Sequence, residues 1–346
     1  RFDYSGGATC PSLLLEPSRT QLIPQSEYFG ISWNSLNITL NSANAVSPDG
    51  TSSASTMTGN GVSGRHFIYY NITATLGTTY AVSVFAKAST NDFIQVSGGD
   101  AAFGAQNYIN ADLSNGTLGT IGTDVVNNSE FIEDYGNGWY RIGFSILSAA
   151  NGTGNISLLL VSSATASRNE SNTLTTSLEI YGAQLEQASY ATSYIPNHSG
   201  GTITRAADSS YKSGQTANIG QTEGTIFLEV KASNINSDII GVNQNVTNGL
   251  QIFKNVSNFF KAQIYAGGTG ISLGDNTSVT DTAKVALVYK SGDSSLFVNG
   301  AQVQTSATTF TFSGALDLVQ FQGNFFAGIG TNEINQTLFF PTALSD

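Results

Sequence analysis

The stretch Ser177-Leu-Glu-Ile-Tyr-Gly-Ala-Gln-Leu-Glu-Gln187, Ala188-Ser-Tyr-Ala-Thr-Ser-Tyr-Ile-Pro196, Asn197-His-Ser-Gly-Gly-Thr-Ile-Thr-Arg-Ala-Ala-Asp208 decides how the chain is divided. Its first part alternates with the period of a strand, placing Leu178, Ile180 and Gly182 on one face and Glu179, Tyr181 and Ala183 on the other. A proline, two glycines and a run of small polar residues follow, the composition of a chain leaving one compact unit for another. The expectation is a closing strand, then a linker over 196–204.

Working outward, the strand period recurs on both sides. Tyr80, Val82, Val84 and Ala86 alternate with more polar neighbours, as do Tyr140, Ile142, Phe144 and Ile146, and Ile156, Leu158 and Leu160. No proline occurs between Pro48 and Pro196, as sheet interiors require. No window of helical length holds a 3.6-residue apolar period. Beyond the linker, Thr225–Lys231 and Lys284–Lys290 read as strands, and Asn299-Gly300 has the form of a type I′ hairpin turn. The expected fold is all-β with negligible helix: two tandem β-sandwiches, over 27–195 and 205–346. Residues 1–26 hold three of the six prolines and read as an extended strap packing Leu13 to Leu15 on the first sandwich. The chain opens on Arg, so a longer polypeptide is expected around it.

Composition narrows the function. The 346 residues are 40% apolar and only 11% charged, with a net charge of −11. That balance supports two packed cores and argues against a phosphate-backbone partner, since nucleic-acid binders concentrate Lys and Arg. No run approaches membrane-spanning length, so no membrane insertion is expected. One cysteine excludes an internal disulfide, and two histidines leave little for zinc.

The pattern YGAQLEQ-x-SYATSYIP followed by G-T-x-TRAAD, with the lead-in RFDY and LLLEPSRT-x-LI, resembles bacteriophage fibre and appendage virion proteins. In those proteins a jelly-roll, carbohydrate-binding-module-like domain is followed by a concanavalin A/laminin G-like domain. The hairpin Ser295-Leu-Phe-Val-Asn-Gly and the close Leu338-Phe-Phe-Pro-Thr-Ala-Leu-Ser-Asp are similar to the second of these domains. The resemblance spans essentially the whole chain. It implies a tail fibre, head fibre or capsid-decoration subunit at the extracellular surface of the particle, acting in host attachment. Its partners would be other virion proteins, further copies of itself as a homo-oligomer, and host cell-surface polysaccharide. A purely structural subunit and a secreted bacterial glycan-binding adhesive module are the alternatives.

Catalytic patterns are missing from the sequence. Glycanases of the concanavalin A fold carry Glu-x-Asp-x-x-Glu because hydrolysis needs two carboxylates about one bond, and this spacing does not occur. There is no Gly-x-Ser-x-Gly elbow, and Gly267-Gly-Thr-Gly lacks the Lys-Ser/Thr of a phosphate loop. The chain is expected not to be an enzyme and to carry no cofactor. Glu130, Glu133 and Asp134, read as a loop, are the candidate structural calcium site.

Sugar binding needs aromatic faces for pyranose C–H groups, with amides, carboxylates or Arg for hydroxyls. Asn137-Gly-Trp-Tyr-Arg is the first candidate, because alternation sends Trp139 and Arg141 to the face opposite Tyr140 and Ile142. A Trp face beside a guanidinium suits an acidic polysaccharide. Phe67, Tyr69 and Tyr70, with Trp33, form the second candidate group. Core packing competes with binding for every one of these residues.

Overall fold

The computed structural model describes residues 2–3, 12–232, 237–245, 247–274, 276–321 and 331–345. The protein is all-β, with a single short helix, Asp100–Phe103, among the described residues. The chain divides into two compact units: Arg19–Arg205, and Ala206–Asp346 together with Arg1–Ser18.

The Arg19–Arg205 unit is a sandwich of two six-stranded antiparallel sheets. One sheet runs Thr117–Ile121, Tyr108–Asp112, Phe93–Gly98, Gly152–Leu160, His66–Ala74 and Asn34–Leu36. The other runs Phe131–Asp134, Trp139–Leu147, Thr79–Ala88, Ser177–Glu186, Ala54–Gly59 and Ile38–Ala45. The strand period explains the core directly. Ile142 and Phe144 pair with Val84 and Val82 across the second sheet. They meet Ile68, Ile72, Ile94, Val96, Ile156, Leu158 and Leu160 from the first. Every second residue therefore faces inward, as a half-buried strand demands.

The alternation read over Ser177–Glu186 breaks at one point. Tyr181 pairs with Phe85, but the next paired residue is Gln184, opposite Ser83, so one extra residue is inserted. Gly182 absorbs it at φ 58°, a left-handed backbone that glycine adopts without steric cost. The bulge reverses the expected facing. Ala183 and Leu185 join Leu178 and Ile180 in the core. Gln184 and Glu186 stand on the outer side with Tyr181.

The second unit is a sandwich of a seven-stranded and a six-stranded sheet. The first begins at Phe2–Asp3 and contains Glu223–Ala232 beside Asn332–Phe340; the second contains Ser237–Asn245, Asn248–Lys254 and Phe260–Ala266. Its core gathers Ile226, Leu228, Val230, Ile252, Ile264, Val285 and Leu287. The hairpin at Asn299-Gly300 has both residues at positive φ, 51° and 83°, as its sequence requires.

Two features differ from expectation. The lead-in straps the 27–195 sandwich only through its second half, where Ile23 enters that core and Gln21 bonds Ala183 and Leu185; Leu13 to Leu15 do not pack there. Ser12–Leu15 pairs with Asn332–Phe340, matching Leu13 with Ile334 and Leu15 with Asn332. Leu15 enters the core of that unit. Glu16 and Asp208 fix the arrangement: the Glu16 amide donates to the Asp208 carboxylate at 3.0 Å, and the Asp208 amide donates to the Glu16 carbonyl at 2.9 Å. The stretch 196–204 is more than a linker. Asn197 is buried, and Ile203–Arg205 pairs with Arg19–Gln21 as a two-stranded ribbon.

Candidate functional site

Trp139 and Arg141 do stand opposite Ile142 and Phe144, but that face is covered. The Ala188–Pro196 segment turns back over the second sheet of the Arg19–Arg205 unit. Its Thr192 amide and hydroxyl donate to the buried Glu186 carboxylate. Gln184 accepts from the Ile195 amide at 2.6 Å and donates to the Thr192 carbonyl. Arg141 is buried beneath it, donating to the Thr192 carbonyl at 2.6 Å and to Ser83 Oγ at 2.9 Å. Trp139 is 2% exposed, packs with Ala54, Phe85 and Tyr181, and donates its Nε1–H to the Val46 carbonyl at 3.1 Å. Neither side chain presents a surface to a sugar; Arg141 ties the covering segment to the strands, and Trp139 ties down the Val46 main chain.

The same packing uses up the aromatic residues of the Tyr181–Pro196 pattern. The Tyr181 and Tyr194 hydroxyls lie 3.0 and 2.8 Å from Glu27 Oε1. Burial, then the Glu27 charge, pushes both phenols well above their ordinary pKa, so they act as proton donors to that carboxylate.

The calcium candidates do not converge. Phe131–Asp134 is an edge strand and not a loop, and Glu133 and Asp134, as neighbours on it, project to opposite faces. Asp134 accepts from the Gly136 amide at 2.7 Å, as a turn-forming residue does. Among the described residues no group of three His, Cys, Asp or Glu is placed to hold a metal.

The second aromatic group splits by the strand period. In His66–Ala74, Ile68, Tyr70 and Ile72 face the core while Phe67 and Tyr69 face outward. Trp33 packs edge-on to Phe29 and against Tyr70, and donates to the Gln25 carbonyl at 3.2 Å. Tyr70 and Trp33 are thus packing residues.

Phe67 and Tyr69 instead line a cleft of about 400 Å³ on the outer face of the first sheet. Cross-strand register builds its floor: Tyr69 pairs with Ser157, and Ser157 pairs with Ser97. Ser35 and Leu36 come from the edge strand, Asn155 and Gly99 close one end, and Arg65, Arg168 and Asn169 form the walls. The two rings lie 5.4 Å apart at 31°. Ser157 Oγ donates to Asn155 Oδ1 at 2.9 Å, which orients that amide. The segment carrying Arg168 and Asn169 is pinned to the sheet. The Asn169 amide donates to Gln95 Oε1 at 2.8 Å, and Arg168 Nη2 donates to the Gly98 carbonyl at 2.5 Å. Glu170 staples its far side, accepting from Ser162 and Asn172. Burial opposes ionisation of Glu170, but these hydrogen bonds outweigh it and hold the carboxyl below its ordinary pKa.

The cleft therefore combines an aromatic floor with fixed hydroxyls, amides and guanidinium groups, within the size range of small-ligand sites. Arg65, Ser97, Asn155, Ser157, Arg168 and Asn169 carried no signal in the sequence. Two strands, the segment before His66 and the loop after Leu160 bring them together, and the sequence pointed toward the site only through the aromatic group of Phe67, Tyr69 and Tyr70.

No protein-family profile matches the chain, and neither does any curated protein. Partial similarities exist among solved structures. The CBM40 of the Ruminococcus gnavus IT-sialidase aligns at 18% identity, covering 36% of this chain and 79% of that one, with a TM-score of 0.31. The carbohydrate-binding module CBM66 from Bacillus subtilis aligns at 13% identity over 40% of this chain and 86% of its own, with a TM-score of 0.27. The Caenorhabditis elegans galectin LEC-6 aligns at 14% identity over 37% and 89%, with a TM-score of 0.25. These similarities involve little more than a third of the chain, and scores this low carry no argument about its ligand.

Proposed function

We propose that this protein is a non-enzymatic, glycan-binding β-sandwich subunit of a virion appendage. The observation that carries the binding reading is the cleft, where Phe67 and Tyr69 meet Ser97, Asn155, Ser157 and Asn169 on one sheet face. Aromatic faces for sugar C–H groups beside short, fixed polar groups for hydroxyls are what a saccharide site requires. The described lining contains no Asp or Glu, hence no carboxylate pair for hydrolysis, which favours binding over turnover. The virion assignment rests on the sequence pattern of the lead-in and the Tyr181–Asp208 junction. On such a particle a weak site gains avidity from repetition, since linked copies raise the effective concentration. The surrounding virion proteins and a homo-oligomer are the partners this reading implies.

The test is a glycan array followed by calorimetric titration of the hits. Phe67→Ala and Tyr69→Ala are each expected to weaken binding about fivefold or more, the equivalent of losing ~1 kcal/mol of ring contact. The melting temperature should change little for Tyr69→Ala, whereas Phe67 also packs on Leu159, Val161 and Ala166, so its variant should lose some stability and its affinity is read on the folded fraction. Binding untouched by both changes moves the site elsewhere. No binding to any glycan leaves the purely structural subunit as the better reading.

A further inference from the structure

The charge of the cleft runs against that of the protein. The chain carries 24 Asp and Glu against 13 Lys and Arg, yet among the described residues the cleft walls hold two arginines and no acidic residue. Arg65 is exposed, and its guanidinium lies over the Phe67 ring, 5.1 Å from the centroid. That contact orients the planar group and leaves its edges to solvent. Arg65 makes no ion pair among the described residues. Its main chain is fixed on both sides: the Arg65 carbonyl accepts from Asn37 Nδ2 at 3.0 Å, and His66 is fully buried. Arg168 stands on another wall, anchored to the Gly98 carbonyl. The nearby Glu170 carboxylate is turned to Ser162 and Asn172.

Resting on the glycan-binding reading, we propose that the ligand is an anionic saccharide and that Arg65 grips its oxyanion, while Tyr69 and the floor hydroxyls hold the sugar ring. A guanidinium presents two parallel N–H donors that match the charge and spacing of a carboxylate or sulfate, whereas a neutral sugar hydroxyl accepts from it without that charge. A protein of net charge −11 repels polyanions over most of its surface. Affinity for an acidic glycan must therefore come from a local site, and it must fall with ionic strength.

The experiment uses the full chain and an oligosaccharide prepared in three forms: with a uronic-acid carboxylate, with that carboxyl reduced to the alcohol, and with a sulfate ester on the reduced form. Calorimetric titrations at about 50 and about 300 mM salt compare the wild type with Arg65→Gln, Arg65→Lys and Tyr69→Ala. The wild type should bind an anionic form about tenfold or more tighter than the neutral one, most strongly at low salt. Arg65→Gln should erase that preference, so that the three forms bind alike, while Arg65→Lys should keep part of it. A carboxylate preferred over sulfate identifies planar bidentate recognition; equal binding identifies charge recognition, and both support the proposal. Equal affinity of the wild type for all three forms, with Tyr69→Ala still weakening each, overturns the anionic assignment and leaves glycan binding standing. No binding of any form overturns both.

Discussion

At the scale of single residues, Trp139 shows how a correct facing can give a wrong role. Strand alternation puts it opposite Phe144, and it is there. The outer face of an antiparallel sheet is usually solvated, but here the chain's own Ala188–Pro196 segment lies over it. The consequence is energetic. Trp139→Ala removes a ring that is 2% exposed, together with its hydrogen bond to the Val46 carbonyl. It should cost about 3–5 kcal/mol of unfolding free energy, read by urea denaturation followed at the remaining tryptophan, Trp33. Glycan affinity measured on the fraction that stays folded should match the wild type, because the ring lies on the other sheet from the cleft. Stability within about 1 kcal/mol of wild type would mean that this burial contributes little.

At the scale of elements, Gly182 decides the second sheet. Its bulge sets Ala183 and Leu185 inward and frees Gln184 and Glu186 to bond the covering segment. A Cβ at this position would stand 3.0 Å from both Phe85 and Tyr194 while φ stays at 58°. Gly182→Ala should therefore destabilise the Arg19–Arg205 unit by about 1–3 kcal/mol, combining left-handed strain with crowding. Hydrogen exchange should show the loss first in Thr192 and Ile195, whose amides bond Glu186 and Gln184. Unchanged exchange there, with unchanged stability, would show that the strand tolerates a regular register.

At the scale of the whole molecule, the chain order and the packing order differ. The N-terminal segment belongs to the unit formed by residues 206–346, where Leu14 and Leu15 are buried beside Asn332–Phe340. Removing residues 1–18 should take away the two strands at one edge of the seven-stranded sheet and expose apolar surface worth about 1.5–3 kcal/mol per leucine. Amides of Asn332–Ile334 should then exchange faster, while those of Thr79–Ala88 and Trp139–Leu147 keep their protection. Loss of protection in the latter strands would contradict this division of the chain.

The sequence by itself determined that the protein is all-β, that it holds two sandwich cores, and which residues of Tyr80–Ala86, Tyr140–Ile146 and Ile156–Leu160 fill the first. These are local properties, because the two-residue strand period and the proline spacing are written along the chain. Once the strand His66–Ala74 is known, the same period separates Phe67 and Tyr69 from Tyr70, with which the sequence alone groups them. Tertiary structure alone decided that Trp139 and Arg141 are covered and that Leu15 joins the distant C-terminal strand. It alone gathered Arg65, Ser97, Asn155 and Arg168 around the two outward rings. Those outcomes depend on which strands pair and which loops fold back. Pairing is settled by contacts between residues far apart in the chain, on which local periodicity is silent.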